Sequence, residues 1–167
     1  MISIAIALAF AAATVEPTQA AAPVYAQPGE EAVAPYQASP ANAGAKPFTG
    51  ESMARAFHGQ DGIRRIVDRF VALNFADPHV GEIFMNQDKV RLKRTLFEQF
   101  CFILNAGCNY TGRDMKSAHK DMGVQQADMN RLVENLQKAM KDEGVLFAAQ
   151  NRFLAKLAPM RRDVVDR

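Results

Sequence analysis

Apolar residues recur every three or four positions from about residue 51 to the end of the chain, and no run alternates as a half-buried β-strand would. This spacing places apolar side chains on one face of a helix, and such a face must be buried against another element. In the first stretch it is formed by Ile63, Ile66, Val67, Phe70 and Val71. The pattern therefore predicts a single all-α domain over 51–167.

Four long helices are expected from this pattern. The first follows Asp61, whose carboxylate we expect to cap it, and Pro78 prevents its continuation. The other three are predicted over about 87–104, 126–142 and 146–163. Pro159 should kink the last of them near its end. Four helices of this length are enough to form a bundle around one core.

The first residues of the chain resemble a secretory signal peptide. Residues 2–15 form an apolar run that is too short to span a bilayer, and small residues follow it, with cleavage expected after Ala20, Ala22 or Ala26. We therefore assign residues 1–22 to a signal peptide that directs export to the periplasm or the medium, with no stable membrane insertion after cleavage. No Lys or Arg precedes the apolar run. Two alternatives therefore stay open: a misassigned start of a cytoplasmic protein, and a buried apolar helix of the domain.

Residues 23–50 are dominated by alanine, proline and glycine and show no sustained period. This composition is typical of a disordered tether. We therefore predict a flexible linker between the signal segment and the helical domain.

Charge and composition narrow the classes of partner. The formal net charge is +2 and the lysines and arginines are scattered, so no nucleic-acid partner is expected. Eleven phenylalanines and eight methionines provide apolar surface for a core or for an apolar ligand. The chain has no Gly-rich phosphate loop, nucleophile elbow or Cys-x-x-Cys motif.

A plain bundle does not need a connection as long as 105–124, because helix connections in bundles usually have about two to eight residues. This connection contains His119, and the other two histidines, His58 and His79, give it no partner at i,i+4 spacing. From the residues alone, His119 is either an exposed histidine or the sole protein ligand of a cofactor. Haem is such a cofactor, since its iron takes one proximal imidazole and its ring lies between apolar side chains.

Cys101 and Cys108 do not have a common zinc spacing. In one unbroken helix they would lie about 10.5 Å apart along the axis, whereas a disulfide needs Cα atoms about 4.4–6.8 Å apart. The helix must therefore end between them if they pair. The sequence leaves open whether they form a disulfide or remain one buried and one loop thiol.

Four motifs together resemble the group I truncated haemoglobin family. They are "GIRRIVDRF" in the first long helix, "ADPHVGEIF" after it, "YTGRDMKSAH" in the long connection and "LAPMRRDVV" near the end. The resemblance covers about residues 56–165. It implies a truncated globin-like two-over-two helical sandwich around haem, in which the usual proximal helix is reduced to a loop and a short turn.

The resemblance also implies a set of haem-contacting residues. His119 matches the proximal iron ligand, and Arg91 and Lys93 flank the haem edge, where they are expected to pair with propionates. No Cys-x-x-Cys-His motif is present, so the cofactor is expected to be non-covalent haem b. The other positions that match haem or ligand-pocket contacts are Phe70, Val71, Phe84, Leu92, Leu96, Phe100, Met115 and Val124.

The chain departs from the family on the distal side of the haem. Members that hold O₂ tightly commonly have a tyrosine where this chain has Val71, and often a glutamine where it has Leu96. Leu92 is apolar as well. Loss of a charge-assisted hydrogen bond costs about 1.5–3 kcal/mol, which is roughly tenfold to over a hundredfold in affinity. We therefore expect an apolar distal pocket that releases O₂ faster than the tyrosine-bearing members do.

The implied function is reversible binding of O₂, NO and CO at an iron that can be five-coordinate, for O₂ storage and transport or for NO chemistry. An NO dioxygenase-like activity would require a reductase or another redox partner. Two alternatives remain. One is a haem redox or electron-transfer protein. The lack of an acid–base residue on the distal side argues against efficient peroxide cleavage by such a protein. The other is a haem-free helical interaction domain, which would not need His119.

Overall fold

The computed structural model of the protein describes residues 25–165 of the 167-residue chain. Within that range it contains eight α-helices and no β-strand, which confirms the all-α prediction. The signal peptide predicted over residues 1–22 lies outside the described residues. The helices are α1 (Ser52–Ala56), α2 (Gly59–Ala76), α3 (Gly81–Met85), α4 (Lys89–Ile103), α5 (Met115–Ala118), α6 (Gln126–Asp142), α7 (Phe147–Leu157) and α8 (Arg161–Val164), with 3-10 turns at Pro40–Ala43 and Ala158–Met160.

Helix α2 begins at Gly59, three residues earlier than the sequence predicts. Its N-cap position is held by His58 in a left-handed conformation (φ 60°), so the expected cap Asp61 lies instead in the first turn. A carboxylate there still interacts favourably with the amino end of the helix dipole. The helix ends at Ala76, before Pro78, as expected. Its buried face is the predicted one, formed by Ile63, Ile66, Val67, Phe70 and Val71.

Helix α4 starts at a side-chain cap. The Asp88 carboxylate accepts hydrogen bonds from the backbone amides of Val90 and Arg91, at 2.9 and 3.0 Å. The helix ends at Ile103, and Asn105 then takes a left-handed conformation with φ 59°. Asparagine tolerates this region better than most residues, which suits it to ending a helix.

The last predicted helix is divided in the structure. Helix α7 ends at Leu157, and Pro159 lies in a 3-10 turn that leads into the short helix α8. A proline removes one backbone donor and its ring clashes with the preceding turn, so the α-helical hydrogen bonding stops there. The other late helix, α6, has the bounds that the sequence predicts, Gln126–Asp142.

The core forms where α2 packs between α4 and α6, with α7 packed against α6. A row of aromatic rings runs through it. Phe153 of α7 lies edge-on to Phe57 and Phe100, with ring centroids 5.2 and 5.0 Å apart, and Phe100 lies 6.5 Å from Phe70. Edge-on aromatic pairs add about 0.5–1.5 kcal/mol to the stabilisation from burial. The row therefore ties α2, α4 and α7 together.

Residues 25–50 lie against the helical domain, although the sequence predicts a disordered linker here. Apart from the 3-10 turn they are irregular, but Ala43 is fully buried and the amide of Phe48 donates to the carbonyl of Ile103 at 2.8 Å. The Glu30 side chain is buried as well, paired with Arg94. The composition of residues 25–50 is that of a tether, but these individual contacts hold the segment against α4.

Cys101 and Cys108 form a disulfide, with Cα atoms 5.5 Å apart. Helix α4 ends between them at Ile103, as pairing requires. The bond fixes the end of α4 to the beginning of the long connection. Among the described residues, no helix combines the length and apolar character that spanning a bilayer needs.

Candidate functional site

His119 lies directly after the four-residue helix α5, inside the long connection. Asp114 starts this helix: its carboxylate accepts from the backbone amide of Ser117 at 2.9 Å and from the Ser117 hydroxyl at 2.7 Å. The backbone amide of His119 donates to the carbonyl of Met115 at 3.1 Å and closes the last turn. A helix this short is not stable alone, so its position depends on the contacts of its neighbours.

One nitrogen of the His119 imidazole is hydrogen-bonded, and the other has no hydrogen-bond partner among the described residues. Nδ1 lies 2.8 Å from the carbonyl oxygen of Met115, and a carbonyl can only accept, so Nδ1 carries the proton. Within residues 25–165, no hydrogen bond reaches Nε2. Burial lowers the pKa of His119 against the opposing effect of the Met115 carbonyl. A neutral imidazole with Nδ1–H fixed by a carbonyl and Nε2 free is the form in which histidine binds metals.

The "YTG" turn before α5 is shaped by the ring of Tyr110. The ring is buried, and its hydroxyl donates a hydrogen bond to the carbonyl of Arg113 at 2.8 Å. Burial raises the pKa of this hydroxyl. A Cβ atom at Gly112 would lie only 2.3 Å from the Tyr110 oxygen. The glycine is therefore required by the close approach of the ring, which explains why tyrosine and glycine occur together two residues apart.

The same turn is bound to the middle of α4. Glu98 accepts from the amide and the hydroxyl of Thr111, at 2.9 and 2.6 Å. Arg94, one turn earlier, donates to the Thr111 hydroxyl at 2.7 Å and to Glu98 at 3.1 Å. These bonds hold the segment that leads to His119 against α4.

Most of the predicted pocket residues lie together. Phe70 and Val71 of α2, Phe100 of α4 and Met115 of α5 belong to one buried apolar cluster, and Leu92 and Leu96 of α4 pack against it, half-buried. Phe84 and Val124 are buried outside that cluster, Phe84 against the ring of Phe75 at 5.8 Å. The structure thus places residues from α2, α4 and α5 around one apolar region, with His119 four residues after Met115.

Arg91 and Lys93 already hold carboxylates of the chain. Arg91 lies 2.9 Å from Asp88 and 3.7 Å from Glu30, and the Lys93 Nζ atom lies 2.6 Å from Asp68. Their predicted pairing with haem propionates would therefore compete with these internal ion pairs.

Gln99 is a residue of this region that the sequence did not single out. It lies on the buried face of α4, and its Nε2 atom is 3.0 Å from the carbonyl oxygen of Ala43 and 3.3 Å from the sulfur of Met115. One amide group therefore joins α4, the N-terminal segment and α5. The available signal was a polar residue directly before the apolar residues Phe100 and Cys101.

The other two histidines lie elsewhere. His58 faces Glu143, with Nδ1 3.2 Å from its carboxylate, and His79 is exposed after α2. In the described part of the chain, no three His, Cys, Asp or Glu side chains are grouped so that they could hold a metal ion. A metal at His119 would therefore have to arrive within a larger cofactor.

Comparison with protein families gives one match. A model described as bacterial-like globin matches residues 55–166, which include every helix except the beginning of α1. Comparison of the sequence with curated proteins finds no significant match.

Solved structures of truncated haemoglobins share this fold. The truncated haemoglobin from Tetrahymena pyriformis in the Fe(III) form is 24% identical with a TM-score of 0.66, and the match covers 69% of this chain and 98% of that chain. The 2/2 haemoglobin from Synechococcus sp. PCC 7002, solved in the cyanomet state with covalently attached haem, is 21% identical with a TM-score of 0.64, over 70% and 99% of the two chains. Chlamydomonas reinhardtii THB1 is 20% identical with a TM-score of 0.59, over 70% and 98%.

Proposed function

The chain belongs to the bacterial-like globin family, and from this premise we propose that it binds haem b non-covalently through His119 and reversibly binds O₂, NO and CO at the iron. The observation that carries the proposal is the state of the His119 ring. Its Nδ1 is held by the Met115 carbonyl, and no hydrogen bond within residues 25–165 reaches its Nε2.

The apolar cluster that contains Met115 suits a haem. Phe70, Val71, Phe100 and Met115 offer an apolar region between α2, α4 and α5, as the flat ring of the cofactor requires. His119 would hold the haem iron, and the bound haem would supply a coordination position for a diatomic gas. Leu92 and Leu96 are half-buried at the edge of the same region, where they would remain accessible to the cofactor and its ligands.

The three residues that match distal positions, Val71, Leu92 and Leu96, favour gas binding over redox catalysis. Val71 is fully buried and neither it nor Leu92 or Leu96 carries a donor or a titratable group. Peroxide cleavage needs a positioned acid or base, and the set offers none. Tight O₂ retention needs a donor near the bound gas, so the proposed function is rapid and reversible exchange. An NO dioxygenase-like role would additionally need a reductase as partner.

We place this function outside the cytoplasm. The signal-like segment over residues 1–22 directs export, and the Cys101–Cys108 disulfide suits an oxidising compartment. The assignment to group I within the truncated haemoglobins follows from the four motifs and belongs to the same proposal.

The test is an absorption spectrum of the purified full chain supplied with haemin, followed by reduction and exposure to CO. We expect one haem per chain, an intense Soret band and a shift of that band when CO binds. A haem-free interaction domain would give no saturable Soret band. A redox haem protein with two protein ligands on the iron would give a band that responds weakly or slowly to CO.

A further inference from the structure

Residues 30–48, named here the N-terminal brace, run across α4 and the turn that leads to His119. The brace contains only the 3-10 turn Pro40–Ala43, so its own secondary structure does not fix it. Three of its contacts with the rest of the molecule lead towards His119. All three cleavage positions expected from the sequence, the last after Ala26, precede Glu30, so a processed chain retains the brace.

The first contact is a buried ion pair. The Glu30 side chain is 1% exposed and the Arg94 side chain 4%. Arg94 donates to both Glu30 oxygens, to Oε2 at 3.0 Å, and also holds Thr111 and Glu98. The hydrogen bond from Arg94 lowers the pKa of Glu30 despite its burial. Removing the Glu30 charge leaves the buried guanidinium of Arg94 with Glu98 as its only acidic partner among the described residues, which is destabilising.

The second contact holds the backbone of the turn. The Tyr36 hydroxyl donates to the carbonyl of Thr111 at 2.9 Å, and the Asn42 amide donates to the carbonyl of Gly112 at 3.2 Å. Arg113 donates in return to the carbonyl of Ala34 at 3.0 Å, with its guanidinium 5.2 Å from the centre of the Tyr36 ring. The carbonyls of an irregular turn need such partners when they are removed from water.

The third contact reaches the residue that orients His119. The buried carbonyl of Ala43 accepts from Gln99, whose amide nitrogen also lies 3.3 Å from the sulfur of Met115. The Met115 carbonyl in turn holds Nδ1 of His119. Three successive contacts therefore lead from the brace to the imidazole.

We propose that the brace is part of the proximal site and sets the orientation of the His119 ring, with Glu30, Tyr36 and Gln99 as positioning residues. This inference rests on the proposed ligation of haem iron by His119. The physical reason is that α5 has only four residues and cannot hold the histidine by itself. The brace fixes both ends of the segment 111–115. At Thr111 it acts through Tyr36 and through Glu30, which holds Arg94. At Met115 it acts through Gln99, which is held by the Ala43 carbonyl.

The test compares paired variants of the full chain loaded with haem. Glu30→Gln removes the buried charge. Its control is Glu31→Gln, because Glu31 is exposed and its hydrogen bonds with Asp88 and Arg91 are made by its backbone. Tyr36→Phe removes only the hydroxyl, and its control is Tyr25→Phe, at an exposed tyrosine. The measurements are the iron–histidine stretching band of the ferrous form, by resonance Raman, and the rate of haem transfer to an excess of apomyoglobin.

We expect Glu30→Gln and Tyr36→Phe to shift or broaden the iron–histidine band, and Glu30→Gln to accelerate haem loss about tenfold or more, as loss of a charge-assisted bond implies. Both controls should match the wild type. If Glu30→Gln does not fold, Tyr36→Phe, which changes one atom, decides. Variants that lose stability while band and haem loss stay unchanged would reduce the brace to a structural element and overturn the inference. A wild type that binds no haem would overturn the proposed function together with it.

Discussion

The Nδ1 atom of His119 lies 2.8 Å from the carbonyl oxygen of Met115, four residues earlier in the chain. Met115 is itself buried and its sulfur lies 3.3 Å from the amide of Gln99. The ring is therefore fixed in one tautomer by a residue that is held by α4. A histidine that merely faced solvent would not need this support, and the relationship favours a ligand role over the exposed alternative.

Leu96→Gln tests whether the distal side lacks a donor. A glutamine at this half-buried position adds an amide near the bound gas, so we expect slower O₂ dissociation, by roughly tenfold to a hundredfold, with a smaller effect on CO. Stopped-flow displacement of O₂ by CO measures the rate of O₂ dissociation. The matched control is Leu96→Met, which keeps the side chain apolar and should leave the rate near that of the wild type. Equal O₂ rates in Leu96→Gln and Leu96→Met would mean that residue 96 does not face the ligand.

The disulfide should stabilise the domain measurably. Closure of a seven-residue loop in the unfolded chain is worth about 2 kcal/mol in the chain-entropy account, so the double variant Cys101→Ala, Cys108→Ala should lose about that much unfolding free energy. Urea unfolding of the two proteins measures the difference. The intact mass of the untreated wild type should be about two hydrogens below that of the reduced chain. A wild type that already has the reduced mass would show that the cysteines do not pair.

The lowered pKa of Asp77 makes the unfolding free energy depend on pH in the acid range. Its carboxylate accepts from the backbone amide of His79 at 2.9 Å, from Asn135 at 3.1 Å and from Arg131 at 2.6 Å, which lowers its pKa to about 2 from the ordinary 3.8. Because the folded-state pKa lies below the unfolded value, this stabilisation is fully present above about pH 4 and is lost as the pH falls through about 2.

Unfolding midpoints in urea between pH 2 and 6 test this for wild type and Asp77→Asn. The variant should have the lower midpoint near pH 6, and the difference between the two midpoints should narrow as the solution is acidified. Curves that stay parallel over the whole range would show that Asp77 does not contribute the acid dependence.

The aromatic row can be tested at its central ring. Phe153 is fully buried between Phe57 and Phe100, so Phe153→Ala should cost about 3–5 kcal/mol of unfolding free energy. On the same helix, Phe147 is 69% exposed, and Phe147→Ala should change stability by no more than about 0.5 kcal/mol. Similar losses in the two variants would contradict the packing described here.

Much of the helical framework could be predicted from local pattern. The apolar face of α2 and the bounds of α6 follow from spacing alone, because burial selects residues at helical intervals. The division of the last helix does not follow from pattern, since Pro159 permits either a kink or a stop, and α8 packs against α5 only in the folded domain. His58 and Asn105 adopt left-handed backbone where glycine would be usual, and spacing gives no sign of it.

The site could be predicted only in part. His119 and the apolar residues of α2 and α4 follow from motifs, although their role as haem contacts remains a prediction. The brace could not be predicted, because its composition is that of a linker and its order depends on single polar contacts such as Glu30 with Arg94, 64 residues apart. Gln99 was missed for the same reason, since its partners Ala43 and Met115 lie far from it in the chain.

Ligation of the iron by His119 is tested by the absorption and resonance Raman spectra of His119→Gly loaded with haem, recorded without and with added imidazole. If His119 is the iron ligand, the variant should lose the Soret and iron–histidine signals of the wild type, and imidazole should restore them by occupying the vacated volume. His79→Gly, at an exposed histidine, is the control and should match the wild type. A His119→Gly variant that retains the wild-type spectra without imidazole would show that His119 is not the iron ligand.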